Sequence, residues 1–378
     1  MLILFLDYKK AFDTLDHRNI MHSLQVLGVT QRVERWFDDY LENREITVKI
    51  NKTFSIPRVV PSGVPQGSNL GPILYLLQVV SMPLAVEKTK IFQYADDTIL
   101  VAESEDFLEA QGKLQHDFVN ILKWSHDHGL VLNETKTSVM HVRPPMQPKF
   151  EVAILSHNFD CLHSSGVDCK CNNFIQQVEV QKYLGVYIDE CFKWEPHVDS
   201  LCRRLRSSTF GLYSLSRIVT KKTLITVYKA MVESVLRYGL LSFGEATETN
   251  LGRVRNIQKS MLKIIHGKVE IRKPNLFKFY EVLPIEKLFF FVFILTYFFK
   301  QRYKTAIPQL RDRREAGAYK TYLEPRYTNN FGKKELRCSV PRYFNELPSR
   351  ILELTTYNEA KRTLREWLFS NMNDFEDP

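Results

Sequence analysis

The stretch FQYADDTILVA, residues 92–102, sets two adjacent carboxylates, Asp96 and Asp97, between apolar and β-branched flanks. Acids are poor strand formers and costly to bury. The pair therefore marks a turn, and residues 91–102 are predicted to form a hairpin around Ala95, Asp96 and Asp97. Neighbouring strand residues point to opposite faces, so a tight turn is where two consecutive carboxylates can be aimed at one site. Two ionised carboxylates side by side repel unless a cation sits between them, and a hard divalent ion such as Mg²⁺ suits oxygen ligands of this kind. A third carboxylate at the end of another strand would complete such a site. Asp7, directly after the apolar run LILFL, is in that situation. Three such acids can hold two ions about 3.5–4 Å apart, a geometry used for in-line phosphoryl transfer. Taken singly, an acidic pair in a turn is more often a solvated turn, and a strand-end Asp is more often a cap. The weight comes from what surrounds them.

Working outward, His17 to Leu41 carries apolar residues at near-helical spacing, interrupted by Gly28, which predicts two helices meeting there. EITVKINKTFSIPRVV, from Glu45 to Val60, alternates in part as hairpin strands do. PSGVPQGSNLGP, residues 61–72, is a loop feeding an apolar helix from Ile73. An amphipathic helix is predicted over 106–128, and SVMHVRPP reads as a strand stopped by prolines. Residues 144–176 lose periodicity and read as a loop or insertion, and strand character returns at VQKYLGVYID. Helical patterns occupy 196–217, 221–238 and 250–266. The order predicts an α+β sheet domain followed by a helical one.

The 378 residues are 44% hydrophobic and 25% charged, which supports folded cores and argues against a disordered chain. Lys+Arg 52 against Asp+Glu 43 gives a formal charge of +9, which favours a polyanionic partner. Six scattered cysteines, and an opening MLILFLD with no basic start or cleavage site, predict reduced thiols and an intracellular location. LFFFVFILTYFF, residues 288–299, is too short for a bilayer span, so it is read as a core helix and no membrane partner is expected. His157, Cys161, His163, Cys169 and Cys171 match no regular Cys-x₂-Cys spacing. A polar loop with incidental thiols is the expectation there, with a zinc site as the alternative.

Five segments then occur in order: FLDYKKAFDTLDH (5–17), SGVPQGSNLGPIL (62–74), FQYADDTILVA (92–102), LNETKTSVM (132–140) and YLGVYID (183–189). Together they resemble the successive palm motifs of reverse transcriptases, specifically those of non-LTR (LINE-type) retrotransposons. The resemblance covers residues 1–190 closely. VYKAMVESVLRYGLLSFGEA (227–246) and PRYFNELPSRI (341–351) are similar to the region downstream of the palm in insect-type elements.

The resemblance implies an RNA-directed DNA polymerase that adds deoxynucleotides to a DNA primer on an RNA template, with two Mg²⁺ or Mn²⁺ ions. On it, Asp7, Asp96 and Asp97 match the metal-binding aspartates, and Lys136 matches the general acid for pyrophosphate. Phe12, Gln66 and Gly67 match the nucleotide pocket, with Phe12 beneath the incoming sugar. Asp13 matches a recurrent acid of the first motif. Tyr183, Leu184 and Gly185 match the primer grip. The helices from Pro196 resemble a thumb, with Arg203, Arg204 and Arg206 as phosphate contacts.

The implied organisation is a palm over 1–190 (an antiparallel sheet with helices on one face), a helical thumb-like domain over 191–267 and a C-terminal helical or irregular region over 268–378. The resemblance also implies nuclear residence, although no basic targeting run is present. Two departures stand out. The chain opens on the first catalytic motif, which predicts a truncated copy lacking the fingers. Gln78-Val79-Val80-Ser81 replaces the family's usual Tyr-Ile-Asn-Asp-Leu-like segment. The alternative expectation is a non-catalytic, nucleic-acid-binding remnant, and oligomeric state is left open.

Overall fold

Strong apolar runs in LILFL and DTILVA build the centre of one sheet in this computed structural model. It describes residues 1–158, 161–162, 171–267, 274–297, 312–313, 321–322, 334, 336–352, 354 and 356–372. The chain divides into two units, Met1–Gly185 and Val186–Pro378.

The first unit begins with β1 (Leu2–Leu6), α1 (His17–Val26) and α2 (Gln31–Leu41). Four two-residue strands come next: β2 (Glu45–Ile46), β3 (Lys49–Ile50), β4 (Thr53–Phe54) and β5 (Arg58–Val59). Then come α3 (Gly71–Val79), β6 (Lys90–Tyr94), β7 (Asp97–Ala102), α4 (Phe107–Asp127) and β8 (Ser138–His141). The unit closes with β9 (Leu155–Ser156), β10 (Asn173–Phe174), β11 (Gln176–Gln177) and β12 (Val180–Tyr183). Gly28, at φ 71°, lies between α1 and α2, where only a residue without Cβ takes the left-handed conformation freely.

The main sheet has the order β11-β8-β1-β7-β6. All its pairs are antiparallel except the short β11 edge, which runs parallel to β8. Leu2, Leu4 and Leu6 of β1 share a core with Ile20, Leu24, Leu74, Leu114 and Phe118 from α1, α3 and α4. Ile3 and Phe5 alternate onto the opposite face. The mixed α and β architecture agrees with the expected class.

A buried carboxylate fixes the entry to the hairpin. Asp117 of α4 is 0% exposed and accepts the backbone N–H groups of Glu87 (3.1 Å), Lys88 (2.8 Å) and Thr89 (2.6 Å), the turn that leads into β6. The stretch 144–176, read from sequence as loop or insertion, contains β9, β10 and the start of β11. Val152, Ile154 and Ile175 are buried in the main core. Their period-two spacing is too short, between prolines and polar residues, to stand out as strand.

The second unit opens at Val186–Asp189 and is otherwise largely helical among the described residues. Asp189, buried, accepts the backbone N–H groups of Cys191, Lys193 and Trp194, which fixes the start of the helix Glu195–Leu215. Residues from Trp194 to Ile265 share one core with Leu276, Phe289, Ile294, Phe344 and Leu364. The apolar run at 288–299 falls on the helix Ile285–Tyr297, whose Leu288, Phe291 and Ile294 are buried; residues 298 and 299 lie outside the described residues. No helix among the described residues is long and apolar enough to cross a membrane.

Candidate active site

Strand register brings the first and third motifs together. Leu6 pairs with Thr98 between β1 and β7, so the next position outward sets Asp7 across from Asp97. Antiparallel partners have Cα atoms about 4.5–5.5 Å apart. Tyr94 pairs with Asp97 across the β6–β7 hairpin, leaving Ala95 and Asp96 as a two-residue loop. Ala95 adopts φ 53°, the left-handed region that costs a non-glycine residue about 1 kcal/mol. Both Asp96 and Asp97 are exposed, and Asp7 is half-buried.

These acids feel one another. Partial burial pushes the Asp97 carboxyl above its usual range, and repulsion from Asp96 and then Asp7 adds to the rise. Among the described residues, the one group of three or more candidate ligands within 4.8 Å of one another is His157, Cys161 and Cys171, so the three aspartates stand somewhat more widely apart. The donor set itself, all hard oxygens, fits a hard divalent ion. Reverse transcriptases as a family generally use such ions.

Asp7 is also held by Asn133, which lies in the motif LNETKTSVM, where the sequence alone assigns it no role. Asn133 donates its Nδ2–H to Asp7 Oδ2 at 2.8 Å, and its backbone N–H donates to the Asp7 carbonyl at 2.7 Å. One carboxylate oxygen is thereby oriented and the other stays available. Lys136 lies three residues on, exposed, in the turn whose backbone N–H donates to the Asn133 carbonyl at 3.1 Å.

The first and second motifs are laced through their backbones. Gly63 N–H donates to Leu15 O (2.8 Å) and Val64 N–H to Phe12 O (3.0 Å). Gly63, at φ 76°, would place a Cβ 2.6 Å from the Asp13 carbonyl oxygen, so only glycine fits this approach. Gln66 donates to Asp13 Oδ1 at 2.8 Å, joining two residues that stand in separate motifs of the sequence. Gly67 is exposed at φ 81°, with open space around its Cα.

Phe12 is half-buried, its ring 4.8 Å from that of Tyr75 on α3. Tyr75 is a second residue invisible from sequence, because an apolar helix absorbs a tyrosine without any periodic signal. Its hydroxyl is buried with no hydrogen-bond partner among the described residues. Burial pushes its pKa well above the usual phenol range, with Tyr8, Asp96 and Asp97 adding to the rise. Tyr8 by contrast is satisfied, 3.0 Å from Ser125 Oγ, and burial pushes it up to about 12. An orphaned buried hydroxyl costs about 1–3 kcal/mol. Tyr75→Phe is therefore expected to raise the free energy of unfolding by about 1 kcal/mol, read from urea denaturation.

Tyr183 sits at the end of β12, its ring 5.9 Å from Phe5, and burial raises its pKa with a further push from Asp97. Leu184 and Gly185 both take left-handed φ, 46° and 77°, as a tight two-residue turn requires. Arg203, Arg204 and Arg206 are exposed on the helix Glu195–Leu215 in the second unit. Arg203, Arg206, Phe210 and Tyr213 succeed one another at three- and four-residue spacing and form one stripe, with Phe210 75% exposed. Arg204 lies about 100° round the helix from Arg203.

Residues 1–188 match the family described as "Reverse transcriptase (RNA-dependent DNA polymerase)". The chain is 28% identical over 280 residues to "Probable RNA-directed DNA polymerase from transposon BS" of Drosophila melanogaster, covering 69% of this chain and 28% of that protein. It is 27% identical over 273 residues to "RNA-directed DNA polymerase from mobile element jockey" of Drosophila funebris, covering 70% of this chain and 28% of the relative. The chain thus spans little more than a quarter of the curated relatives it matches. Among solved structures, apo telomerase from Candida tropicalis is similar at 15% identity and a TM-score of 0.35, over 70% of this chain and 41% of that one. Residues 1–188, with the acidic hairpin beside the end of the central strand, place this chain in the reverse transcriptase family.

Proposed function

We propose that the chain carries the catalytic palm of an RNA-directed DNA polymerase and acts on an RNA template, a DNA primer and deoxynucleoside triphosphates. The observation that supports this reading is the strand register that sets Asp7 across from Asp97, with Asp96 in the adjoining loop. Two divalent cations, Mg²⁺ or Mn²⁺, held by Asp7, Asp96 and Asp97 would lower the pKa of the attacking hydroxyl and offset charge on the leaving pyrophosphate. Asn133 keeps the Asp7 carboxylate oriented. Lys136 supplies a proton to pyrophosphate as it leaves. Phe12, backed by Tyr75, presents a ring beneath the incoming sugar that excludes a 2′-hydroxyl. Gln66, anchored to Asp13, and Gly67 line the nucleotide site. Tyr183, Leu184 and Gly185 hold the primer end, and Arg203, Arg204 and Arg206 track phosphates in a thumb-like region. Nuclear residence belongs to the same proposal.

The test is Mg²⁺-dependent extension of a labelled primer on an RNA template. Salt-sensitive binding with no extension would favour the nucleic-acid-binding remnant instead. Cation binding also has a thermal signature. The folded-state Asp97 carboxyl lies above its ordinary 3.8, so the folded chain binds more protons than the unfolded chain just above that pH. Stability from this group therefore falls as pH rises through that window. Mg²⁺ replaces repulsion with attraction. Its stabilisation is expected to be full at neutral pH, to fade as pH falls through the same window, and to vanish in Asp96→Asn/Asp97→Asn. At about ten times Kd the gain is about 1.4 kcal/mol, read as a rise of about 2–4 °C in Tm.

A further inference from the structure

We propose that His157, Cys161 and Cys171 form a zinc site on the β9–β10 segment of the first unit, a proposal that does not rest on the polymerase reading. Their ligand atoms lie within 4.8 Å of one another, each on a half-buried residue. His157 Nδ1 is 3.3 Å from Cys161 Sγ. Tetrahedral zinc, with Zn–S about 2.3 Å and Zn–N about 2.0–2.1 Å, sets its ligand atoms about 3.6–3.8 Å apart. Small side-chain adjustments therefore close these three around one ion. The donors are two sulfurs and an imidazole, a set that selects zinc over the hard ions suited to carboxylates.

The fold explains how residues distant in sequence converge. Ser156 pairs with Asn173 in the β9–β10 ladder, so His157 and Cys171 emerge together from one end of it. The Asn158 side chain accepts the Cys161 backbone N–H at 3.0 Å and fixes that cysteine's approach. The Asn158 backbone N–H donates to Cys171 Sγ at 3.5 Å, the kind of donor that stabilises a metal-bound thiolate. His163 and Cys169 lie outside the described residues and form no part of the proposed site.

With three protein ligands, a water completes the zinc tetrahedron. On binding, each thiol gives its proton to solvent as its Zn–S bond forms. The ion then closes the chain between β9 and β10, whose Ser156 and Asn173 both donate to the Glu134 carboxylate, at 2.6 and 2.5 Å. Glu134 adjoins Asn133, which holds Asp7. Zinc thus braces the loop that orients one of the three acids.

The test uses the full reduced chain, stripped of metal and titrated with Co²⁺ in excess Mg²⁺, so that carboxylate sites are filled. Expected are thiolate-to-cobalt charge transfer and the intense visible bands of tetrahedral cobalt, saturating at one equivalent and displaced by Zn²⁺. Cys161→Ser/Cys171→Ser should lose these bands and weaken Zn²⁺ binding by at least about tenfold, while Cys191→Ser keeps both. Absence of charge transfer in the unaltered chain overturns the proposal whatever the variants do. So does equal zinc affinity in the double variant.

Discussion

Asp97→Asn is expected to cut Mg²⁺-dependent primer extension by about 10²–10³-fold while leaving the fold intact or slightly more stable. Asparagine keeps the shape but removes the charge, and the charge is what holds cations. Loss of a single well-placed electrostatic group in an active site commonly costs about 10²–10³-fold. Asp97 is more exposed to loss than most, since it stands across from Asp7 and beside Asp96. Its carboxyl is already raised by burial and by those two neighbours, so neutralising it relieves repulsion in the cation-free chain. The pair of outcomes separates a catalytic role from a structural one. Extension is measured on an RNA template, and thermal unfolding is measured without Mg²⁺ on the same preparation. An Asn variant that extends as well as the parent would defeat the assignment of these acids.

Asp117→Ala is expected to cost about 3–5 kcal/mol of unfolding free energy in urea, the range for breaking a buried charged network. The carboxylate is 0% exposed and is solvated by three backbone N–H groups of residues 87–89. Hydrogen bonds to a charged group contribute about 1.5–3 kcal/mol each, and alanine provides no acceptor for the released donors. The surface ion pair Lys90–Glu103, at 2.7 Å, offers the contrast. Its side chains are 62% and 55% exposed, so Glu103→Ala should change stability by less than about 1 kcal/mol. Equal effects at the two positions would show that the Asp117 cluster does not brace the turn into β6.

The hairpin at 91–102, the paired helices around Gly28 and the helix at 106–128 were legible because each carries a period or a breaker of its own. The three aspartates stood out because charge in an apolar strand context is costly, and the order of the surrounding motifs gave them their weight. What escaped were several relations set by tertiary structure. Asn133 looks like an ordinary turn residue until the Tyr8–Leu132 bridge carries it beside Asp7. Asp117 lies on an amphipathic helix, where an acid reads as solvent-facing, and no local pattern marks the turn it caps. Tyr75 and Phe210 fail in opposite directions, one an unpaired hydroxyl inside and the other an aromatic ring outside. The cluster at 157–171 has no regular spacing, since its ligands converge through the β9–β10 ladder rather than along one loop.

The left-handed alanine at position 95 has a consequence for recognition. Glycine there would leave the two-residue link many shapes of similar energy. A methyl group removes most of them, and the β6–β7 ladder pins the one that remains. The acids it carries are therefore pre-organised, and little conformational entropy is lost when a ligand arrives. The torsional strain is spent in advance, during folding, so affinity at this tip is set mainly by charge and solvent rather than by rearrangement of the peptide.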